Sequence, residues 1–292
     1  MGISYTPTKE NLFFPARNAV FFPDGRPKSE AALCAEMSRL AYARREPNFE
    51  FDQARIQQVL ADIRFGECKF FEKPTDPQGQ GSHGFLAIDN DSKLAVLAFR
   101  GTDSEDLSDL LDDANALPRA WGGMGNVHSG FAKALDEIWE QVLPALATVT
   151  GFRLLFTGHS LGAAMATLAA SLHLPSVLYT IGSPRVGDTD FVFALAQKNL
   201  DSHRYVDCCD LVARIPPEGM LGYAHIGRPY YIDRTRMIQQ RAADDPFIKK
   251  DQRRAKMQYF FRYAWRCGDV GMRSLADHTP LNYVWPVTAD SP

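Results

Sequence analysis

The stretch FRLLFTGHSLGAAMATLAASL, residues 152–172, carries the strongest structural signal in this sequence. It begins with an apolar run, Phe152 to Phe156, that has the length and composition of a buried strand. A glycine-flanked turn follows, and the alanine-rich segment from Ala163 to Leu172 is typical of a helix that packs closely on a sheet. We therefore predict a strand, a sharp turn and a helix in direct succession.

Apolar runs and helical patterns continue to alternate on both sides of this stretch. Phe85 to Ile88 and Leu94 to Phe99 flank the turn-forming residues 89–92, which predicts a hairpin. The other predicted elements are strands at Ser176 to Ile181 and Tyr205 to Cys208, and helices at Lys28 to Arg45 and Phe131 to Leu143, the latter with a stop or kink at Pro144.

This order of elements predicts an α/β fold, with a mainly parallel central sheet and helices on both faces. The sequence shows no internal repeat or low-complexity tract. We therefore treat residues 1–292 as a single domain that begins with an N-terminal arm, residues 1–27.

Composition excludes several classes of protein. Hydrophobic residues make up 45% and charged residues 23% of the 292, which are ordinary values for a globular chain. The net charge of −3 gives no basic field for nucleic acid. Five cysteines without a CxxC pair and seven histidines without HExxH predict neither a disulfide framework nor a metal site, and no cofactor is implied.

The N-terminal residues give only a weak indication of location. They lack a basic head followed by an apolar run, so we expect no signal peptide. No run of 18 apolar residues predicts a membrane span. We therefore expect a cytoplasmic protein, with export by another route left open.

The turn Gly158-His159-Ser160-Leu161-Gly162 has the G-x-S-x-G pattern, which between a strand and a helix exposes the serine hydroxyl on a strained turn. A serine becomes nucleophilic when a base removes its proton and a third group orients that base. On this type of fold the acid and then the histidine follow the serine in the chain. Spacing alone does not choose among the downstream residues, which include His173, His203, His225, His278, Asp188, Asp190, Asp201, Asp207 and Asp210.

Six segments, in order between residues 99 and 278, resemble the class 3, or fungal-type, triacylglycerol lipases, a family that includes feruloyl esterases and phospholipases. The resemblance implies the α/β-hydrolase fold. The segments are Phe99-Arg100-Gly101-Thr102, Val127-His128-Ser129-Gly130-Phe131, Thr157 to Ala163, Gly182-Ser183-Pro184-Arg185-Val186-Gly187, Asp210 to Pro217, and Asp277-His278.

The resemblance also implies a role for five residues. Ser160 would be the nucleophile, Asp210 the acid and His278 the general base. Thr102 and Leu161 would form the oxyanion hole, Thr102 with its backbone N–H and hydroxyl and Leu161 with its backbone N–H.

Two rivals and two departures from the family pattern accompany this assignment. Asp207 competes with Asp210 as the acid, and His225 competes with His278 as the base. Ala213 stands where a proline is common, and residues 279–282 make a longer spacer before Tyr283 than the family pattern suggests. Both departures concern local geometry, since neither removes a functional group. His128 and His159 are interpreted as packed, hydrogen-bonded residues.

The resemblance implies a serine carboxylic-ester hydrolase that acts on lipid acyl esters through an acyl-enzyme. An esterase of small or aromatic esters and a phospholipase are the alternatives, and a non-catalytic binding module is a more distant one. The expected partners are a lipid or small-molecule ester and, transiently, a lipid interface. The oligomeric state stays open.

Residues 103–117 follow the predicted oxyanion residue, at the point where the family carries a lid. Apolar side chains recur at helical spacing within this segment, while its other residues are strongly acidic. A moving lid and a fixed surface helix are both consistent with that pattern. The acidic charge should oppose docking on an anionic bilayer.

Residues 234–266 form a basic aromatic segment, with ten Lys and Arg residues against three Asp residues. We expect a helix whose aromatic side chains lie in the core and whose charges are solvated. A helix lying in a membrane interface is the alternative. The aromatic residues concerned are Tyr259, Phe260, Phe261, Tyr263 and Trp265.

Overall fold

The computed structural model describes residues 3–17, 20–45, 50–73, 81–102, 117–217, 219 and 221–290. Within these ranges the strands form one eight-stranded sheet and two smaller sheets. The strands are β1 (Arg44–Arg45), β2 (Glu50–Phe51), β3 (Glu67–Glu72), β4 (His83–Asp89), β5 (Leu94–Phe99), β6 (Pro118–Ala120), β7 (Asn126–His128), β8 (Arg153–His159), β9 (Val177–Ile181), β10 (Gly187–Asp188), β11 (Ser202–Asp207), β12 (Tyr223–Ala224), β13 (Pro229–Ile232) and β14 (Ile238–Gln240).

The large sheet has the order β14-β13-β11-β9-β8-β5-β4-β3. Its five middle strands, from β13 to β5, are parallel, and antiparallel strands lie at both edges. Gly158 on β8 pairs with Phe99 on β5 and with Thr180 on β9. The carboxyl ends of neighbouring parallel strands therefore meet at one edge of the sheet, where the chain turns toward Ser160.

Helices cover both faces of this sheet. They are α1 (Lys9–Phe13), α2 (Glu30–Leu40), α3 (Gln53–Asp62), α4 (Ser129–Ala147), α5 (Leu161–Leu172), α6 (Thr189–Ala196), α7 (Pro246–Arg262), α8 (Arg273–Ala276) and α9 (Pro280–Ala289), with a 3₁₀ turn at Val212–Arg214.

Alternate residues of β8 belong to different hydrophobic clusters. Leu154 and Phe156 pack with α4 and α5 on one face, while Leu155 packs with α2, α3 and α9 on the other. A central strand with apolar residues on both faces is typical of a sheet covered on both sides. The predicted α/β architecture is confirmed.

The predicted hairpin is also confirmed. β4 and β5 pair antiparallel along their length. The Asp89 carboxylate closes the turn, since its Oδ1 accepts the N–H groups of Asp91 at 3.0 Å and Ser92 at 3.2 Å. A short acidic side chain that accepts the turn's own N–H groups explains why this segment reverses the chain.

Helix α2 is shorter than predicted. It begins after Ser29, whose hydroxyl accepts the Ala32 N–H, and it ends at Leu40 rather than continuing to Arg45. Arg44 and Arg45 instead form β1, which pairs with β2, and the carbonyl of Ala43 accepts the Asp52 N–H at 3.0 Å. The backbone after α2 finds its hydrogen-bond partners in a returning strand.

Pro144 does not end α4, which continues to Ala147. Proline has no N–H, so the carbonyl of Glu140 one turn earlier loses its intrahelical donor. Glu140 is exposed, and water can therefore replace that donor.

The predicted core placement of the aromatic residues near the end of α7 is wrong for three of them. Tyr259 is 2% exposed, but Phe260 is 49%, Phe261 79% and Trp265 76% exposed. The buried stripe of α7 ends at Tyr259. Each residue advances about 100° around a helix, so Phe260 and Phe261 are carried away from that stripe.

The predicted lid, residues 103–117, lies outside the described residues except for Leu117. Among the helices within the described ranges, none combines the length and apolar character that crossing a membrane requires.

Candidate active site

Ser160 lies in the turn between β8 and α5 and has φ 58° and ψ −126°. A residue with a Cβ adopts such a conformation only when the surrounding structure imposes it. Here the strand before Ser160 and the helix after it are both buried, and the Ser160 N–H donates to the carbonyl of Ile181 at 3.0 Å. The rigid sheet therefore fixes the backbone of the serine.

The two glycines of the turn are required by close backbone contacts. A Cβ on Gly158 would lie 2.2 Å from the carbonyl carbon of Gly162, and a Cβ on Gly162 would lie 2.3 Å from the carbonyl oxygen of Phe99. Carbon atoms do not approach backbone atoms so closely. The first turn of α5 can lie against β5 and β8 only because both side chains are absent.

The structure brings Ser160, His278 and Asp210 together, although they are far apart in the chain. His278 Nε2 lies 2.9 Å from Ser160 Oγ, and His278 Nδ1 lies 2.8 Å from Asp210 Oδ2. All three side chains are buried. With the proton on Nδ1 donated to Asp210, Nε2 is free to accept the Ser160 hydroxyl proton.

Asp210 is held by two donors besides His278. Its Oδ1 accepts the Val212 N–H at 2.8 Å, and its Oδ2 accepts the hydroxyl of Tyr283. Burial, and then the charge of Asp210, raise the pKa of Tyr283 well above its usual value, so the phenol remains a proton donor. The longer spacer before Tyr283 therefore still places its hydroxyl on the acid.

Gly182 opens one of the segments that resemble the lipases, but the residue patterns assigned it no role at the site. It has φ +58°, and a Cβ there would lie 2.9 Å from Asp210 Oδ2 and 3.3 Å from His278 Cε1. Only glycine leaves room for the carboxylate and the imidazole to meet. A lone glycine after a strand is a weak signal in sequence, because many turns have the same composition.

Thr102 and Leu161 lie where the elements that carry Ser160 converge. Thr102 follows β5, whose end is pressed against Gly162, and Leu161 is the first residue of α5. The hydroxyl of Thr102 is buried and has no hydrogen-bond partner among the described residues. N–H groups in the first turn of a helix also lack an intrahelical acceptor. Both residues therefore offer unused donors beside the serine.

The structure separates the rival acid and the rival base from Ser160. The Asp207 carboxylate pairs with the Arg236 guanidinium at 2.7 Å, and its Oδ1 also accepts the Cys208 N–H. His225 Nε2 lies 2.8 Å from the carbonyl of Ala213. Burial, and then the Arg204 charge, lower the pKa of His225 well below its usual value. Both side chains therefore stabilise loops through these contacts instead of contacting Ser160.

The other downstream histidines also lie away from the serine. His173 follows the far end of α5, which is about 18 Å long at 1.5 Å per residue. His203 lies on β11, where its ring stacks on Tyr179 and its Nε2 is 3.1 Å from Asp201. Within the described residues, His278 is the histidine that contacts Ser160.

Residues 96–220 match the family model described as lipase (class 3). This range contains the serine turn, the predicted acid and the predicted oxyanion residues. This part of the chain is therefore similar to the class 3 lipases.

Curated lipases from other organisms align with about half of the chain. A secreted mono- and diacylglycerol lipase 1 from Fusarium solani is 33% identical over 164 residues, which cover 52% of this chain and 48% of that protein. A lipase from Rhizomucor miehei is 28% identical over 166 residues, or 52% of this chain and 45% of that protein. The chain thus spans about half the length of the curated relatives it matches.

Solved lipase structures share the fold over a larger part of the chain. The lipase from Rhizopus microsporus var. chinensis aligns with a TM-score of 0.59 and 21% identity, covering 95% of this chain and 94% of that structure. A mutant form of MDLA from Penicillium cyclopium aligns with a TM-score of 0.54 and 24% identity, covering 74% of this chain and 85% of that structure. These likenesses establish the α/β-hydrolase fold.

His159, in the turn before Ser160, supports the loop that carries His278. Its Nε2 donates to the carbonyl of His278 at 2.9 Å, so its Nδ1 accepts the hydroxyl of Tyr42 at 2.8 Å. Burial, and then the charge of His278, lower the pKa of His159 well below its usual value. His159 is therefore the packed, hydrogen-bonded residue that was predicted, and it also connects α2 to His278.

A buried ionic network anchors the backbone on both sides of His278. Asp277 pairs with Arg273 at 3.1 Å and accepts the hydroxyl of Tyr5 at 2.8 Å, which ties the N-terminal arm to this loop. On the other side, Asn282 exchanges two hydrogen bonds with the backbone of Thr6. These contacts could not be predicted, because residues 5 and 277 meet only in the folded chain.

Cys208, Cys209 and Asp277 place three metal-ligand atoms within 4.8 Å of one another. Asp277 is already paired with Arg273, and the hydrogen bond with Cys209, followed by burial, raises the pKa of the Cys208 thiol. A thiol that holds its proton beside a buried guanidinium is a poor metal ligand. The sulfurs lie 3.7 Å apart as free thiols.

Proposed function

We propose that the protein is a serine hydrolase that cleaves carboxylic esters of lipid acyl chains through an acyl-enzyme on Ser160. The observation that carries this proposal is the continuous chain of hydrogen bonds from Ser160 through His278 to Asp210. A serine beside an oriented imidazole is the arrangement that nucleophilic acyl transfer requires.

In the first step His278 Nε2 removes the proton from Ser160 Oγ, and the oxygen attacks the ester carbonyl carbon. The carbonyl oxygen becomes an oxyanion that accepts hydrogen bonds from the backbone N–H groups of Thr102 and Leu161 and from the Thr102 hydroxyl. The carbon–oxygen bond to the alcohol then breaks, and His278 returns the proton to the leaving alkoxide. The acyl group remains on Ser160 as an ester.

In the second step His278 removes a proton from a water molecule, and the resulting hydroxide attacks the acyl-enzyme. Collapse of this intermediate releases the carboxylic acid and returns the proton to Ser160. Asp210 stabilises the imidazolium in both steps, because it carries negative charge and its position is fixed by Val212 and Tyr283.

The substrate class rests on the relatives. They include a mono- and diacylglycerol lipase and, in Oryza sativa, phospholipase A1-II 5, which is 28% identical over 214 residues, covering 58% of this chain and 44% of that protein. We infer that the substrate is a lipid acyl ester reached by transient contact with a lipid interface. Hydrolysis of small or aromatic esters is the second candidate, favoured by the polar sequence of residues 103–113.

The experiment compares Ser160→Ala with wild type on nitrophenyl esters of increasing acyl length and in labelling by a fluorophosphonate probe. Loss of the nucleophile should lower kcat by about 10⁴-fold or more and abolish labelling. Ser183→Ala is the matched control, because Ser183 is buried and donates only to a neighbouring carbonyl. It should keep both activities.

Labelling of Ser160→Ala at the wild-type rate would overturn the assignment of the nucleophile. An intact wild-type protein without labelling or turnover would indicate a binding module instead. Turnover that rises with acyl length supports a lipid substrate, whereas preference for acetyl or aryl esters supports the second candidate.

A further inference from the structure

The surface at the end of α7 exposes a cluster of large aromatic side chains. Phe260 packs edge-on against both Phe261 and Trp265, with ring centroids 5.5 and 5.2 Å apart. Met257 and Met272, both more than half exposed, belong to the same segment of chain. We call Met257, Phe260, Phe261, Trp265 and Met272 the aromatic patch.

A basic surface adjoins the aromatic patch along α7 and the residues that follow it. Residues 246–272 hold seven Lys and Arg residues and two Asp residues, in a chain whose net charge is −3. Within the described part of the chain, none of the seven forms an ion pair. They are Lys249, Lys250, Arg253, Arg254, Lys256, Arg262 and Arg266.

The helical period places both features on one outward surface. The buried stripe of α7 consists of Ile248, Asp251, Ala255 and Tyr259. On the opposite side Lys250, Arg253 and Arg254 come first, and Met257, Phe260 and Phe261 follow within the next two turns. One side of the helix is therefore basic in its first half and aromatic in its second half.

We propose that this surface docks the protein on an anionic lipid surface, with the aromatic patch inserted at the headgroup level and the basic residues against the lipid phosphates. Trp and Phe are favoured at membrane interfaces, and unpaired cations are attracted to anionic headgroups. The aromatic patch lies beside this cationic surface. The positive charge of the basic residues complements the negative charge of an anionic partner.

The inference deepens the proposed function, because a docked enzyme meets a lipid ester at the interface. It concerns binding, however, and binding is measured independently of hydrolysis. The acidic residues of 103–113 would repel the same lipid surface. The protein should therefore dock only when the basic surface of α7 faces the lipid. Salt should weaken this binding, because the attraction is electrostatic.

The experiment measures co-sedimentation of the full chain with phosphatidylcholine vesicles that contain either no anionic lipid or about 30 mol% phosphatidylglycerol. Wild type should bind the anionic vesicles and be released by roughly 1 M salt. Each basic residue near such a surface contributes about a fivefold change, so K250Q/R253Q/R254Q should lower the partition coefficient by about 100-fold. F260S/F261S/W265S should lower it by about tenfold or more.

Two matched variants separate the proposed surface from general effects of charge and hydrophobicity. R64Q/K133Q/R228Q removes the same number of exposed positive charges elsewhere, and Phe193→Ser removes an exposed phenylalanine from α6. Both should bind anionic vesicles like wild type. All variants should hydrolyse a soluble short-chain ester at the wild-type rate, which shows that they are folded.

A fluorophore on Cys267, the exposed cysteine two residues after Trp265, reports insertion directly. In a Cys68→Ser background its emission should shift to the blue on anionic vesicles but not on neutral ones. Ser160→Ala should bind vesicles like wild type. Vesicle binding therefore tests the docking surface even if the proposed hydrolysis is wrong.

Three outcomes would overturn the inference: equal binding to neutral and anionic vesicles, equal loss in the control variants, or no binding at all. A wild-type dimer in sedimentation velocity that dissociates in F260S/F261S/W265S would assign the surface to a second copy of the chain instead.

Discussion

The turn at Ser160 and the outer face of α7 differ in how closely the rest of the molecule surrounds them. At the turn, adding one methyl group to Gly158 or Gly162 would bring a carbon within 2.3 Å of backbone atoms. On α7, Phe261 is 79% exposed and packs mainly against Phe260, which is itself half exposed.

This difference in packing bears on the function that the turn and the outer face of α7 can each have. The geometry of the turn is imposed by the sheet, so it can hold a hydroxyl in a strained position for chemistry. The face of α7 contributes little to the core, so folding does not account for its aromatic residues. A surface of that kind is better explained by contact with something outside the molecule.

The largest effect is expected from Gly162→Ala. Its Cβ would meet the carbonyl oxygen of Phe99, and neither backbone can move without separating α5 from the sheet. Unfolding in urea should show a loss of about 3 kcal/mol or more. Gly66→Ala is the control, because nothing lies within 4 Å of its Cβ. If the two variants were equally stable, the turn would be far less constrained than the distances indicate.

Thr102→Val tests whether the buried hydroxyl beside the turn serves the reaction. The shape is retained, and the oxyanion loses one donor, so kcat should fall by about 10²- to 10³-fold with little change in stability. Thr167→Val removes a buried hydroxyl of α5 that donates to the Ala163 carbonyl, and it should leave kcat unchanged. A wild-type kcat in Thr102→Val would remove the hydroxyl from the proposed mechanism.

The buried histidine on β4, His83, should make the sheet sensitive to acid. Burial lowers the pKa of His83 to about 3. Below pH about 6.5 the unfolded chain therefore binds a proton that the folded chain does not, and stability is lost as the pH falls toward 3.

The expected slope for this histidine is about 1.4 kcal/mol per pH unit. The free energy of unfolding in urea should be measured between pH 7 and 4. Below about pH 6.5, where the unfolded chain takes up the proton, His83→Gln should lack this part of the slope. It should persist in His203→Gln, since that residue is partly exposed at 25% of its side chain. Parallel stability curves for wild type and His83→Gln would contradict the assignment.

The smallest effect is expected from Phe261→Ser. Because the side chain is mostly exposed, the free energy of unfolding should change by less than about 0.5 kcal/mol. Thermal or urea unfolding measures this directly. A loss of about 2 kcal/mol would show that Phe261 is part of the core and would leave the exposed patch without a separate explanation.

Local patterns predicted the parts of the fold that depend on neighbours in the chain. The period of the apolar residues gave β8 and α5, and the turn residues at 89–92 gave the hairpin. The same reasoning did not predict that α4 continues past Pro144, and it placed Phe260 wrongly in the core. Solvent exposure decides both outcomes, and exposure follows from packing between distant segments.

The candidate site was predictable only in part. The G-x-S-x-G turn singled out Ser160, but spacing left several histidines and acids open, and the family resemblance chose His278 and Asp210. No role at the site was predicted for Gly182, Tyr42 or Tyr5. Their importance lies in contacts across the fold, such as the hydrogen bond from Tyr42 to His159.

The chain alone determined which segments become strands and helices and which serine lies in the strained turn, because periodicity, glycine conformation and backbone sterics act between near neighbours. Tertiary structure decided which imidazole and which carboxylate meet that serine, and which aromatic side chains remain outside. Those outcomes depend on distances between residues separated by 50 to 118 positions in the chain, from Ser160 to Asp210 and to His278, and only the packed sheet fixes such distances.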